Sequence, residues 1–250
     1  LLCRPALALG CQGAALLTLL FYPRLGPKRW RRRRAATLHL RPLGSAGRAL
    51  GFGLPFLLPG ILLLQLVYAR YWGWLPRQLT YAYEADPLGG VVVLSTAILI
   101  GPVIEEFAFR GFLQGGASRS VGPWIGGALG AAFFAAAHMS AGWMPYFFLN
   151  GAIFAYLFVR TGTIWSCVIA HASVNAWVSA LSPAHHWIVA RAAAVPSAVL
   201  WICSALLLSS ALYLSTPRVR PGRRLARGRA GLRFPLDDTE KVGRVAVEGS

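Results

Sequence analysis

Charged residues are scarce in this sequence. Only 13% of the 250 residues are Asp, Glu, Lys or Arg, about half of the quarter that soluble domains carry. Acidic residues are scarcer still, with eight in the whole chain. A soluble domain of this length would lack the polar side chains that cover a surface, and a disordered chain would carry fewer apolar residues. The composition therefore excludes both classes.

Short motifs of familiar hydrolases and zinc domains are also absent. The four cysteines lie in apolar stretches and form no CxxC pair, so we expect buried free thiols and neither a disulfide framework nor a zinc knuckle. The chain has no HExxH motif and no serine in a nucleophile-elbow spacing, which leaves serine-hydrolase and zincin mechanisms without support.

Apolar residues dominate instead. The hydrophobic share is 56%, and the 27 glycines raise it to about two-thirds, against roughly 45–50% in soluble domains. A membrane span needs about 20 mostly apolar residues. Such runs occur at about 5–22, 49–70, 89–113, 121–141, 143–159, 162–181 and 192–216. The sequence predicts an all-α, polytopic membrane bundle of about seven transmembrane helices.

The net charge of +17 is concentrated at two places. Residues 23–48 hold nine Lys/Arg and no acids, and residues 217–250 hold nine Lys/Arg against four acids. An even number of spans separates these two segments, so the positive-inside rule places both in the cytoplasm and the N-terminus outside. This distribution favours contact with membrane lipids over nucleic acid, and the Ala/Gly/Arg-rich composition indicates a bacterial inner membrane.

The same pattern predicts three regions. Residues 1–48 comprise the first span and a basic cytoplasmic loop, and residues 49–216 form a membrane-embedded core. Residues 217–250 lack an apolar run long enough to fold on and are expected to be a disordered cytoplasmic tail.

Three ionisable residues lie inside the third predicted span. An ionised side chain at a helix centre costs about 2.5–3.5 kcal/mol, so Glu105, Glu106 and Arg110 require an explanation. Glu106 and Arg110 are four residues apart with the acid first, which is the favoured order for an ion pair. Glu105 points about 100° away from Glu106 around the helix. We interpret the Glu106–Arg110 pair as structural support and Glu105 as a functional carboxylate.

Further polar residues follow in two later spans. His138 ends a Gly/Ala/Phe-rich run, and His171 and Asn175 share one helical face. A Glu and a neutral His can take a proton from water, whereas a second His and an Asn can donate hydrogen bonds to a developing oxyanion. The small residues around His138 would let helices approach closely. The cluster predicts hydrolysis of a peptide bond.

Alternatives remain open at this point. One Glu and two His are also a ligand set of catalytic zinc, so a divalent metal held by Glu105, His138 and His171 is a second possibility. Buried carboxylates and histidines also form proton relays, which makes a transporter or proton-coupled carrier the alternative function. The chain shows no pair of interrupted-helix repeats of the kind that many carriers have. A catalytically inactive scaffold is a third reading, although it would be free to lose these costly residues.

These motifs resemble the CPBP family of intramembrane proteases, which contains the type II CAAX-processing and bacteriocin-processing enzymes. The family pattern of EExxxR, FxxxH and HxxxN is matched in order by Glu105 to Arg110, Phe134 to His138, and His171 to Asn175. The resemblance covers about residues 99–180.

The resemblance implies that Glu105 and His138 activate water, that His171 and Asn175 stabilise the oxyanion, and that Glu106 and Arg110 support the first of these helices. It implies a recessed site that opens toward the cytoplasm, and a protein or peptide substrate with a membrane-embedded or lipidated segment. The family is often called a metalloprotease, but a glutamate-based mechanism fits the same residues. A third helix extended to about residue 119 and bent at Gly101-Pro102 would bring Glu105 and His138 to similar depths.

Overall fold

Seven helices make up the part of the chain that the structure describes. The structure is a computed structural model, and it describes residues 39–40, 42–72 and 87–216. The helices are α1 (Ser45–Trp72), α2 (Pro87–Ser95 continuing to Gly115–Val121), α3 (Pro123–Ala137), α4 (Met144–Thr161), α5 (Ile164–Leu181), α6 (His185–Ala193) and α7 (Ser197–Leu214). These residues contain no β-strand. The predicted all-α fold is confirmed.

Length and hydropathy identify the membrane-spanning elements. Four described helices, namely α1, α2 from Gly90, α5 and α7, are long and apolar enough to cross a membrane. Helix α3 is apolar but shorter, with 15 residues. The last predicted span, 192–216, is corrected at its start, because a short helix and a turn precede α7. The predicted span 5–22 and the tail 217–250 lie outside the described residues. The chain is an integral membrane protein.

Helix α2 is longer than the predicted span of 89–113. Its five consecutive segments alternate between α and π geometry: α at Pro87–Ser95, π at Thr96–Ile100, α at Gly101–Glu106, π at Phe107–Gln114 and α at Gly115–Val121. The expected extension beyond residue 113 is confirmed. π-segments occur often at functional sites, and here they flank the short α-segment that carries both glutamates.

Small residues bring α2, α3 and α4 together. A methyl group on Gly151 of α4 would lie 3.0 Å from the Ala131 Cα on α3, which shows how closely the two backbones pass. A methyl group on Gly126 of α3 would lie 2.8 Å from the Ser118 nitrogen on α2. Because lipid offers no hydrophobic drive for helix association, such close packing holds membrane helices together.

Helix α1 packs along α7. A methyl group on Gly53 would meet Ser215, and the Ser204 hydroxyl donates a 2.9 Å hydrogen bond to the Gly60 carbonyl. At the other end, Arg70 donates to the Ser197 hydroxyl at 2.8 Å and to carbonyls of the α6–α7 connection. Helices α1 and α7 thus pack against each other, and the polar residues of α2 and α5 take no part in these contacts.

Candidate active site

The two neighbouring glutamates of α2 lie in different environments. The Glu106 side chain is fully buried, whereas that of Glu105 is 36% exposed. One oxygen of Glu105, Oε2, is nevertheless buried and has no hydrogen-bond partner among the described residues. The 100° rotation between adjacent helical positions therefore separates a solvent-accessible carboxylate from a packed one.

Arg110 neutralises Glu106. Its Nε lies 3.1 Å from Glu106 Oε2, and its Nη1 donates to Glu106 Oε1 at 3.2 Å. Nη2 donates to the Gly151 carbonyl on α4 at 2.9 Å. The guanidinium also lies over the Phe134 ring, 4.7 Å from its centroid. The predicted i, i+4 ion pair is present, and it also joins α2 to α3 and α4.

His171 connects the two glutamates. Its Nδ1 lies 2.9 Å from Glu106 Oε1, and its Nε2 lies 3.9 Å from Glu105 Oε2. The ring is buried and stacks on Phe154, with centroids 4.9 Å apart. Glu106 therefore fixes the orientation of His171, as the aspartate does for the histidine in a Ser-His-Asp triad. The sequence analysis interpreted Glu106 and Arg110 as a structural pair and did not predict the contact between Glu106 and His171.

His138 lies at the end of α3 and belongs to an aromatic group. Its Nδ1 is 2.8 Å from the Phe134 carbonyl, and its ring stacks on Phe147 of α4 with centroids 3.9 Å apart. When Nδ1 carries the proton for this bond, Nε2 is a hydrogen-bond acceptor and a base. Met139 follows with a positive φ of 47°, an uncommon conformation for a residue other than glycine.

The Phe134 ring contacts both histidines. The centroid of its ring is 4.6 Å from that of His138 and 5.6 Å from that of His171. No hydrogen bond or ion pair between described residues joins His138 to Glu105 or His171 directly. The structure thus brings Glu105, Glu106, Arg110 and His171 into one connected polar group, and both His138 and His171 contact the Phe134 ring.

Asn175 lies one turn beyond His171 on α5. Its Nδ2 donates a 2.8 Å hydrogen bond to the Ala97 carbonyl in the first π-segment of α2. The second amide proton is not used in this contact. Asn175 is therefore held against α2, close to the start of the segment that carries the glutamates.

Gln114 is a buried polar residue that the sequence reasoning missed. It is fully buried, and its amide donates to the Ala155 carbonyl at 3.3 Å. Gln114 follows Arg110 by four residues, and Ala155 follows Gly151 by the same interval. The two side chains therefore anchor α2 to two successive turns of α4. The sequence contained a signal for Gln114, because Glu106, Arg110 and Gln114 form an i, i+4, i+8 series of polar residues on one face of an apolar span.

A metal site requires several donors around one point. Among the described residues, no group of three His, Cys, Asp or Glu side chains is arranged to hold a metal ion. Glu105 and His171 approach each other, and the Nδ1 of His138 is hydrogen-bonded within its own helix. The arrangement does not fit the expected zinc ligand set of Glu105, His138 and His171.

Comparison with known proteins finds similarities that centre on residues 87–177. These residues match the family model described as "Type II CAAX prenyl endopeptidase Rce1-like". The chain is also 27% identical over 95 residues to "Putative membrane peptidase YdiL" of Bacillus subtilis (strain 168), covering 38% of this chain and 37% of that protein. The chain thus spans well under half of the curated relative it matches. No solved structure matches it.

Proposed function

We propose that this protein is an intramembrane endopeptidase. The proposal is supported by the match of residues 87–177 to the family model described as "Type II CAAX prenyl endopeptidase Rce1-like". The proposed substrate is a membrane-associated or lipid-anchored protein, and the enzyme hydrolyses one peptide bond of that protein. The observation that carries the proposal is the series Arg110–Glu106–His171–Glu105, which ends at a partly exposed carboxylate with a buried, unpartnered oxygen.

Glu105 is the proposed general base, together with His138. A gap of 3.9 Å separates Glu105 Oε2 from His171 Nε2, too long for a direct hydrogen bond but short enough for a water molecule to contact both atoms at about 2.8 Å. Glu105 takes the water proton as the oxygen attacks the carbonyl carbon. The His138 Nε2 can accept a hydrogen bond when Nδ1 donates to the Phe134 carbonyl, and His138 is the proposed second base.

His171 and Asn175 are the proposed oxyanion donors. The Nδ1 of His171 contacts Glu106, and its Nε2 is the proposed donor to the developing oxyanion. Asn175 contributes the amide proton that the Ala97 carbonyl does not accept. Preorganised donors of this kind stabilise the tetrahedral intermediate before it forms.

The proposed location is the inner membrane of a bacterium, with the basic loop and the tail in the cytoplasm. The support is the charge asymmetry of the sequence and the positive-inside rule.

The decisive experiment replaces Glu105 with Gln. In cells, the membrane and secreted proteomes of the Glu105→Gln strain are compared with wild type to identify an uncleaved precursor. Purified protein then cleaves that precursor, and we expect the variant to lose about 10²- to 10⁴-fold in rate. Cys203→Ala serves as the control, because Cys203 is an exposed residue on α7. Normal cleavage by folded Glu105→Gln protein would contradict the mechanism, and Glu105-dependent solute flux in proteoliposomes would favour a carrier.

A further inference from the structure

The carbonyl of Ala97 has lost both of its normal hydrogen-bond donors. In an α-helix the donor would be the N–H of Gly101, but that group donates to the Thr96 carbonyl, in π-register. In a π-helix the donor would be residue 102, which is proline and has no N–H. A backbone carbonyl without a partner is costly inside a membrane.

Asn175 supplies the missing donor. Its side-chain amide reaches the Ala97 carbonyl from α5 at 2.8 Å. One turn earlier on the same helix, His171 contacts Glu106 at 2.9 Å. Helices α2 and α5 are therefore joined at two points, one on each side of Gly101-Pro102. The segment Gly101–Glu106, which carries both glutamates, lies between these points.

Gly101 is part of the same arrangement. A methyl group at this position would lie 3.0 Å from the Thr96 carbonyl oxygen and 3.6 Å from Glu105 Oε1. Glycine therefore permits the backbone contact that defines the π-register, next to the carboxylate itself. The π-register at Thr96–Ile100 and the freed carbonyl are thus consequences of one local geometry, and Glu105 lies next to it.

We infer that Asn175 is a positioning residue that replaces the backbone donor missing at Pro102 and thereby fixes the Glu105 segment against His171. This role is additional to the proposed oxyanion contact. Its effect on folding does not depend on the proposed function, whereas its effect on catalysis rests on it. Asn175 acts through the Ala97 carbonyl, so its effect depends on whether position 102 has an N–H.

A double-mutant cycle tests this dependence. The four proteins are wild type, Asn175→Ala, Pro102→Ala and the double variant, and Pro102→Leu repeats the cycle should the Ala variant fail to fold. An alanine at 102 restores an N–H that can donate to the Ala97 carbonyl, so Asn175→Ala is expected to be less harmful in that background. Hydrogen bonds between membrane helices change the folding equilibrium by about three- to fifteen-fold, and the coupling is expected in that range.

Two readouts separate this proposal from the proposed function. The first is reversible unfolding of purified protein in mixed micelles, which needs no substrate. The second is kcat and KM on the precursor found with the Glu105→Gln strain. We expect Asn175→Ala to lower kcat with little change in KM, and Pro102→Ala to reduce that loss.

Equal unfolding penalties for Asn175→Ala in both backgrounds would overturn the inference. Coupling in unfolding without any cleavage activity would support it while contradicting the endopeptidase. Asn175→Ala could also lower kcat by the same factor in both backgrounds while the unfolding penalties are additive. That result would leave Asn175 as an oxyanion donor only and would overturn the inference.

Discussion

Arg110 provides the sharpest test of how the polar interior is stabilised. It is fully buried and is the positive partner of the equally buried Glu106. Replacing Arg110 with Met keeps a long, flexible side chain of apolar character but leaves Glu106 without its counter-charge. Removing one member of a buried ion pair costs about 3–5 kcal/mol, because the remaining charge stays desolvated. We therefore expect Arg110→Met to destabilise the protein by about that amount.

The magnitude has an internal check. In the double variant Glu106→Gln/Arg110→Met no buried charge remains, and the Gln oxygen can still accept from His171. What is then lost is the hydrogen bond from Arg110 to the Gly151 carbonyl and the contact with Phe134, together about 2–3 kcal/mol. We expect the double variant to be more stable than Arg110→Met, although it removes more polar groups.

Unfolding in mixed micelles, followed by the fluorescence of the nine tryptophans, measures these differences. Arg160→Met is the matched control, since Arg160 lies exposed in the last turn of α4 and should change stability by less than about 0.5 kcal/mol. The reasoning is refuted if Arg110→Met costs no more than Arg160→Met, or if the double variant is as unstable as Arg110→Met.

Three further predictions concern packing and chemistry. Gly151→Ala should destabilise the protein by about 1–3 kcal/mol, because its methyl group would lie 3.0 Å from the Ala131 Cα. Gly51→Ala, with open space around it, should be neutral or slightly stabilising in the same unfolding assay. Equal effects of the two variants would contradict the packing argument. Phe147→Leu should slow precursor cleavage about two- to ten-fold, because the stacking contact with His138 is lost. Phe147→Tyr keeps the aromatic ring and should retain the wild-type rate. Identical rates for the two variants would contradict a role of this stacking in catalysis. No three donor side chains among the described residues converge on one point, so cleavage should persist after exhaustive chelation, with metal analysis confirming that the protein is metal-free. Loss of cleavage on chelation that zinc alone restores would refute this expectation.

Local rules predicted the elements that local interactions produce. The Glu106–Arg110 pair follows from i, i+4 spacing on one helix, and the structure contains it. The extension of the third span past residue 113 was inferred by placing Glu105 and His138 at similar depths in the membrane, and α2 does continue to Val121. The ion pair required no knowledge of which helices are neighbours, and the extension required only that Glu105 and His138 lie at similar depths.

Contacts between helices could not be predicted in the same way. The spacing of His171 and Asn175 indicated a shared face, but not that His171 Nδ1 would contact Glu106 while Nε2 faces Glu105. Gln114 was missed because its partner is a backbone carbonyl, and every residue has one. The zinc set of one Glu and two His was consistent with residue type, whereas no three such side chains among the described residues are arranged to hold a metal ion.

The sequence by itself determined the solvent and the class of fold, because a shortage of charge and long apolar runs are properties of the chain that no packing can alter. It also determined which few ionisable groups need a reason to be in the membrane, and their order along the chain carries the family resemblance. Only the tertiary structure decided which carboxylate is packed and which is accessible. It also decided where a carbonyl freed by Pro102 finds its donor, since that donor belongs to Asn175 on another helix, and its distance depends on how the two helices pack.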